Sequence, residues 1–329
     1  MKSEKDNAFD SAIALIRKSY GQDAIQDMDG DKMNQFKVDF VSTGCLSLDR
    51  VLGGGLPRGR VIEVFGAPSS GKSVLATFLM AQMQRLGERA VLVDSEFAFS
   101  PEFAQKVGLN VDALQLVQAP NAEEALDIVA KLVSASAVSI IVVDSVASLV
   151  PKDEVEGTVF DQNMALQARI LSKSLRILTG SISKSKTIVI FINQTRDRVG
   201  VFYGPKTTTS GGNALKFYSS VRIEIKKGKN LVNEKDEVIG NWIGVNVVKN
   251  KVSPPFKTCD LELIYERGLD LVGDVLDSAL KSEILTRQGN SVYYGEEKMG
   301  GGRDQAKKFL EDPANEKIYE KLFKELTKK

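Results

Sequence analysis

RVIEVFGAPSSGKSVLATFLM, residues 60–80, decides the fold. Its first six residues, RVIEVF (60–65), form an apolar β-rich run that reads as a strand, and the stretch from Val74 onward reads as an apolar helix. Between them Gly66-Ala67-Pro68-Ser69-Ser70-Gly71-Lys72-Ser73 matches G-x-x-x-x-G-K-[S/T], a phosphate-binding loop in its required strand-to-helix setting. The glycines let backbone N–H groups wrap phosphates, and Lys72 brings a mobile positive charge to the β/γ oxygens. The Ser73 hydroxyl is placed to ligate Mg²⁺. The nucleotide cradle therefore runs from Gly66 to Val74, with Thr77 one turn on as packing.

The same rhythm continues on both sides. AVLVD (90–94), SIIVVD (139–144), TIVIFIN (187–193), SVRIEIK (220–226) and GVNVVKNK (244–251) read as further strands, with helices after Gly71, Pro101, Asn121 and Asp161. Apolar runs alternating with helices from Val38 to about Leu263 predict an α/β fold with a mostly parallel central sheet. Residues 8–19, with Phe9, Ile13 and Ile16 at helical spacing, form a short amphipathic helix ahead of the main body. Past Leu271 come short helical pieces, a hairpin candidate at Tyr293-Tyr294 and a break at Gly300-Gly301-Gly302, which suggest a small α+β domain. The expected division is 1–36, 37–270 and 271–329. Two connections, PKDEVEGTVFDQNMA (151–165) and TRDRVGVFYGPKTTTSGG (195–212), are longer than a compact fold needs, which marks them as functional or mobile loops.

Composition narrows the chemistry. With 329 residues, 43% hydrophobic and 26% charged, the chain can bury a full core. Lys and Arg number 44 against 43 Asp and Glu, so any nucleic-acid contact must be a local basic patch. Histidine is absent, which removes Ser-His-Asp and Cys-His nucleophiles and His metal sites. The only cysteines, Cys45 and Cys259, have no CxxC spacing and support neither a disulfide framework nor a zinc knuckle. Without a signal peptide or an apolar run long enough to span a bilayer, the expected location is the cytoplasm, with no membrane partner.

Asp144 ends the run SIIVV, at the carboxyl edge of a strand where open α/β folds bind ligands; it is either the Mg²⁺-side carboxylate of the phosphate site or a cap for the next element. Glu96 lies just past AVLVD and, with no histidine available, leads the candidates to align or deprotonate water; Asp94 competes with it. Gln194 closes TIVIFIN before the second long loop, as a γ-phosphate sensor or as a turn residue.

These pieces, with STGCLSLDRVLGGGLPRGR (42–60), VDSVASLVPKDEVEG (143–157), MALQARILSKSLRILTG (164–180), SGGNALKFY (210–218) and VVKNK (247–251), resemble the bacterial RecA recombinase family over nearly the whole chain. The resemblance implies an ATP-dependent filament on single-stranded DNA that pairs with duplex and exchanges strands in recombinational repair and the SOS response. It also implies an N-terminal helix that docks on the neighbouring subunit. Glu96 then looks like the catalytic carboxylate, Gln194 the γ-phosphate sensor, and Asp144 a Mg²⁺ ligand through water. Ser100 and Phe103 fall where the adenine is held. Residues 156–165 and 195–209 look like two DNA-binding loops, with Met164 and Val199 as wedges between base triplets. Arg169, Arg176, Arg196, Arg198 and the amides around Gly211-Gly212-Asn213 would touch phosphates. Lys249 and Lys251 would reach the γ-phosphate of an adjacent subunit. A self-cleaving repressor and loading proteins are candidate partners.

Each of these has a plainer reading: Met164 as core filler, the basic face of QARILSKSLR as a solvated helix, the lysine pair as a guard on an exposed sheet edge. A helicase, translocase or regulatory ring on the same core is the alternative function. The sequence also departs from the family pattern. Phe103 stands where a tyrosine is usual, Ser100 where an acidic residue is common and Lys206 where a glutamate is usual. It ends at KELTKK without an acidic tail, so DNA access is expected to be less restrained. These differences suggest a divergent member, bacterial or phage-encoded.

Overall fold

A computed structural model describes residues 3–27, 37–158, 165–197, 207–233 and 235–328. It separates into two units, residues 1–39 and 40–329. In the first, helix α1 (Glu4–Tyr20) starts four residues earlier than its apolar spacing suggests. The reason is a capping box: the Ser3 side chain accepts from the Asp6 amide and the Asp6 carboxylate accepts from the Ser3 amide. Arg17 pairs with Asp27 at 2.8 Å and closes the chain back on the helix. No residue of α1 is buried, and Phe9, Leu15 and Tyr20 are exposed.

The second unit opens with β1 (Phe40–Val41), α2 (Leu46–Leu52), β2 (Leu56–Pro57), β3 (Val61–Gly66) and α3 (Lys72–Arg85). It continues through β4 (Ala90–Asp94), α4 (Pro101–Lys106), β5 (Gln115–Val117), α5 (Ala122–Ser134), β6 (Ile140–Asp144), α6 (Lys152–Glu156) and α7 (Leu166–Ser185). After these come β7 (Ile188–Asp197), β8 (Thr207–Thr209), α8 (Ala214–Tyr218), β9 (Val221–Val232), β10 (Val238–Asn250), β11 (Thr258–Ile264) and β12 (Gly268–Leu269). The main sheet runs β12-β11-β10-β9-β3-β7-β6-β4-β5, with β8 on β7. From β9 to β5 every neighbour is parallel. Strands β3 and β4 are buried along their whole length, so their sequences are apolar but for Glu63 within β3 and Asp94 at the end of β4, as a sheet covered on both faces favours. Alternate residues serve opposite layers. Ile62, Val64, Ile190 and Ile192 meet Leu75, Phe78, Leu79 and Met83 of α3, while Val61, Val189, Phe191 and Ile141 meet α5 and α7.

The other side of the sheet departs from the βαβ rhythm. Strands β9 and β10 form a long antiparallel hairpin and β11 returns antiparallel to β10, because the short connection after Val232 leaves no room for a crossover helix.

The C-terminal region packs α9 (Leu271–Lys281), α10 (Arg303–Glu311) and α11 (Glu316–Thr327) around Leu276, Leu285, Val292, Met299, Leu310 and Leu322. Its sheet has three antiparallel strands, β13 (Thr286–Gln288), β14 (Ser291–Tyr294) and β15 (Glu297–Gly301). Tyr293-Tyr294 lies in the first strand of the β14–β15 hairpin, as expected, with Tyr294 paired to Glu297, and the glycine run ends β15 at Gly301 and caps α10 at Gly302. Arg303 ties α10 to the main sheet. Its guanidinium donates to Glu262 at 2.7 Å and Asp277 at 2.8 Å and lies over Trp242, 5.5 Å from the ring centre. Lys307 adds Asp270 at 2.5 Å. Arg303→Ala is expected to cost about 3 kcal/mol in denaturant unfolding, the low end for breaking a buried pair because Lys307 stays beside Glu262. A loss under about 0.5 kcal/mol would show that solvent screens the cluster.

Candidate active site

Strands β3, β4, β6 and β7 end at one edge, where Gly66 is in register with Gln194 and Asp94 with Asp144. The loop after β3 needs its glycines. A Cβ on Gly66 would lie 2.2 Å from the Ile225 carbonyl oxygen, and Gly71, at φ 96°, turns the chain into α3 from the left-handed region. Ala67, Pro68 and Ser69 are exposed and Ser70 is buried. The first α3 amide with an intrahelical partner is that of Leu75, bonded to the Gly71 carbonyl, so among the described residues the amides of Gly71 through Val74 have no backbone partner at a helix N-terminus. Val74 contributes only backbone there, since its side chain packs on the core. Lys72 Nζ donates to the Ala67 carbonyl at 2.7 Å. Burial lowers its pKa, opposed by the carboxylates of Asp144 and Glu96.

The carboxylates sort themselves by partner. Asp94 is buried and accepts from the amides of Ala98 and Phe99 and from Gln118 Nε2 at 3.0 Å, so it organises the following loop. That separates it from Glu96. Glu96 Oε1 is exposed to the cleft and accepts from Ser145 Oγ at 2.5 Å and from Gln194 Nε2 at 3.1 Å. The Asp144 carboxyl is pushed up to about 6, first by burial and then by Glu96 and Asp94, against the Ser73 hydroxyl and Lys72. Ser73, Asp144, Glu96, Ser100 and Phe103 line one cavity of about 140 Å³. Ser100 spends its hydroxyl capping α4 on the Phe103 amide. Ser145 was invisible in the sequence: a serine after a strand-end aspartate has no signature that separates it from a turn residue.

The basic residues gather elsewhere. Arg169 and Arg176 of α7 project with Lys173 into an open groove shared with Asn213 and Phe217. Gly211 and Gly212 run close along α7, where an added Cβ would meet Leu171 and Ala168 within about 3 Å. Arg196 is exposed on β7 and pairs with Thr208 of β8, so the ends of the second long loop are a hairpin base, where only loop was expected after residue 193. Likewise α6 occupies the start of the first long loop. Met164, Arg198 and Val199 lie outside the described residues.

Lys249 and Lys251 project to one side and Asn250 to the other, as strand alternation predicts: Asn250 Nδ2 donates to the Leu52 carbonyl. Neither lysine lines the cavity with Ser73 and Asp144. Lys249 Nζ donates to the carbonyls of Lys216 at 2.6 Å and Phe217 at 3.1 Å, and Lys251 Nζ reaches Phe217 at 3.4 Å. The negative end of α8 thus holds two like charges together. Burial, then Lys251 and Arg222, lower the Lys249 pKa. Strand β10 pairs with β9 as far as Asn250 but with β11 only as far as Asn246, so the lysines stand where the strand is bonded on one side, the position an edge guard would occupy.

A phosphate loop leaving a buried parallel strand, with carboxylates at the ends of the neighbouring strands, defines a P-loop nucleoside triphosphatase. The family profile described as RecA N-terminal domain matches residues 7–270, and that described as RecA C-terminal domain matches residues 273–329. Protein RecA of Clostridium acetobutylicum is 45% identical over 313 residues, covering 95% of this chain and 89% of the relative. Protein RecA of Caulobacter vibrioides is 45% identical over 312 residues, 94% of this chain and 87% of the relative, and that of Paramagnetospirillum magneticum 46% over 313, with the same coverage. The chain belongs to the RecA family. It is accordingly an ATP-binding recombinase whose DNA-dependent ATPase is coupled to strand exchange, and nothing in it favours a helicase or ring.

Proposed function

We propose that the chain forms a filament on single-stranded DNA in which Glu96 is the catalytic carboxylate and Gln194 the γ-phosphate sensor. The observation that carries this reading is the hydrogen bond between them, which joins the water-facing carboxylate to the root of the second long loop. The Gly66–Val74 cradle with Lys72 holds the phosphates, and Phe103 with Ser100 meets the base. Ser73 and Asp144 offer hydroxyl and carboxylate oxygens side by side, the hard donors Mg²⁺ prefers, and they would hold it directly and through water. The ion would neutralise charge on the β/γ oxygens. Glu96 accepts the proton of the attacking water. While Gln194 donates to Glu96 it occupies the same oxygen, so an amide drawn to a γ-phosphate frees the carboxylate.

Arg169, Arg176, Arg196, Arg198 and the Gly211–Asn213 amides serve phosphates, with Met164 and Val199 between bases. Residues 1–36 dock on a neighbour, 37–270 carry ATP and DNA, and 271–329 form the small domain. Double-stranded DNA, a self-cleaving repressor and loading proteins are its further partners, in the cytoplasm; among the described residues no helix is long and apolar enough to cross a membrane. ATPase stimulated by single-stranded DNA, with helical filaments in micrographs, tests this reading. Binding should weaken with salt by a slope of about −0.7 per phosphate neutralised. Arg196→Ala should make that slope shallower by about one such step, and equal slopes would argue against a contact there.

A further inference from the structure

Glu63 interrupts the apolar run of β3, and it is fully buried at the centre of the sheet. A charge there is tolerated only with partners. Glu63 stands in register with Arg222 on β9, whose Nε donates to Oε2 at 2.5 Å, and on its other side Asn193 Nδ2 of β7 donates to Oε1 at 3.0 Å. A buried ion pair is seldom the most stabilising choice for a site that apolar residues could fill, which directs attention to what it positions.

Asn193 is also fully buried, and its side chain makes three hydrogen bonds. Besides Glu63, Nδ2 donates to the Ser210 carbonyl at 3.0 Å, and Oδ1 accepts from the Gln194 amide at 2.9 Å. Only a carboxamide presents two donors and an acceptor at one point. The Ser210 amide in turn donates to the Gln194 carbonyl at 3.3 Å. The Ser210 hydroxyl makes no hydrogen bond among the described residues, so these backbone ties are what fixes the segment. Immediately beyond it, Gly211 and Gly212 lie against α7 beside Arg169.

We propose that Glu63 and Asn193 are positioning residues that lock Gln194 and the Ser210 strap into one unit, so that a shift of Gln194 moves the Gly211–Asn213 backbone on the DNA side. The inference rests on the reading of Gln194 as the γ-phosphate sensor. It adds the part that carries the signal from the nucleotide edge into the DNA face, anchored on a buried charge that does not move.

The test exchanges the two groups. Asn193→Asp alone removes both donors and sets two carboxylates against each other, so it can fail to fold. Combining Glu63→Gln with Asn193→Asp restores that bond with reversed polarity: the Gln amide donates to the Asp carboxylate and its oxygen still accepts from Arg222. The Ser210 carbonyl, however, is left facing an acceptor. Affinity for a labelled single-stranded oligonucleotide is measured with and without a non-hydrolysable ATP analogue. Coupling of this kind is about 5- to 150-fold in affinity, and the wild type should show a gain in that range. The double variant should stay folded with a lowered melting temperature, bind the analogue equally well and reduce the gain to within about twofold of none. A double variant that keeps the wild-type gain overturns the proposal, as does one that does not fold or does not bind the analogue, because the pair would then serve stability or the phosphate cradle. A wild type without any gain refutes the sensor reading itself and the inference with it.

Discussion

Glu96→Gln should bind ATP and single-stranded DNA as the wild type does and hydrolyse ATP about 10²- to 10⁴-fold more slowly, the usual worth of a positioned general base. The substitution keeps shape and leaves an amide oxygen for Ser145 and Gln194, so the hydrogen bonds that tie β4, β6 and β7 together survive. What disappears is the ability to take a proton. Lys72→Ala should behave differently: it removes the cation that faces the phosphates and should abolish productive ATP binding, so hydrolysis and binding fall together. Single-turnover phosphate release, with nucleotide binding measured in parallel, separates the two. Hydrolysis within about threefold of wild type in Glu96→Gln would take Glu96 out of the catalytic role.

Lys249→Ala and Lys251→Ala should each leave a folded chain that binds nucleotide, yet lose DNA-stimulated ATPase by about 10³- to 10⁵-fold if they act as cations in trans. In the structure both ammonium groups rest on the α8 carbonyls of their own chain, the nearest negative partner available. A γ-phosphate is a far stronger one, and Phe217, exposed beside them, leaves the same end of α8 open to a neighbour. Mixing either variant with Lys72→Ala protein decides the matter. A trans site needs one intact phosphate loop and one intact lysine pair on different subunits, so mixed filaments should regain activity. A mixture that co-assembles and stays inactive would confine the lysines to holding α8.

The parallel strands β3, β4, β6 and β7 and the whole phosphate loop were legible because burial on both faces writes itself as long apolar runs and the glycine spacing answers a local steric need, whereas the short and largely exposed β5 was not. In the antiparallel half β9 and β10 were legible as strands, but their direction and β11 were not. TCDLELI (258–264) alternates charge and apolar residues and carries no turn signal that would assign it to β11. Asp94 and Glu96 could not be told apart in the chain, since the difference lies in Gln118, brought in from β5's end. Glu63 and Asn193 are 130 positions apart, and no pattern in either strand announces that they meet. Lys249 and Lys251 fared better, because alternation along a strand is fixed by the backbone itself.

Helix α1 has no buried side chain, whereas helices in proteins draw most of their stability from packing an apolar face. Phe9, Leu15 and Tyr20 are left exposed on it, and if the next subunit covers them, each unmatched α1 marks a growing end. Amide exchange of residues 4–20 becomes a counter of chain ends: fast in short oligomers, slowing as the polymer lengthens, at a rate that reports mean length without any view of the DNA.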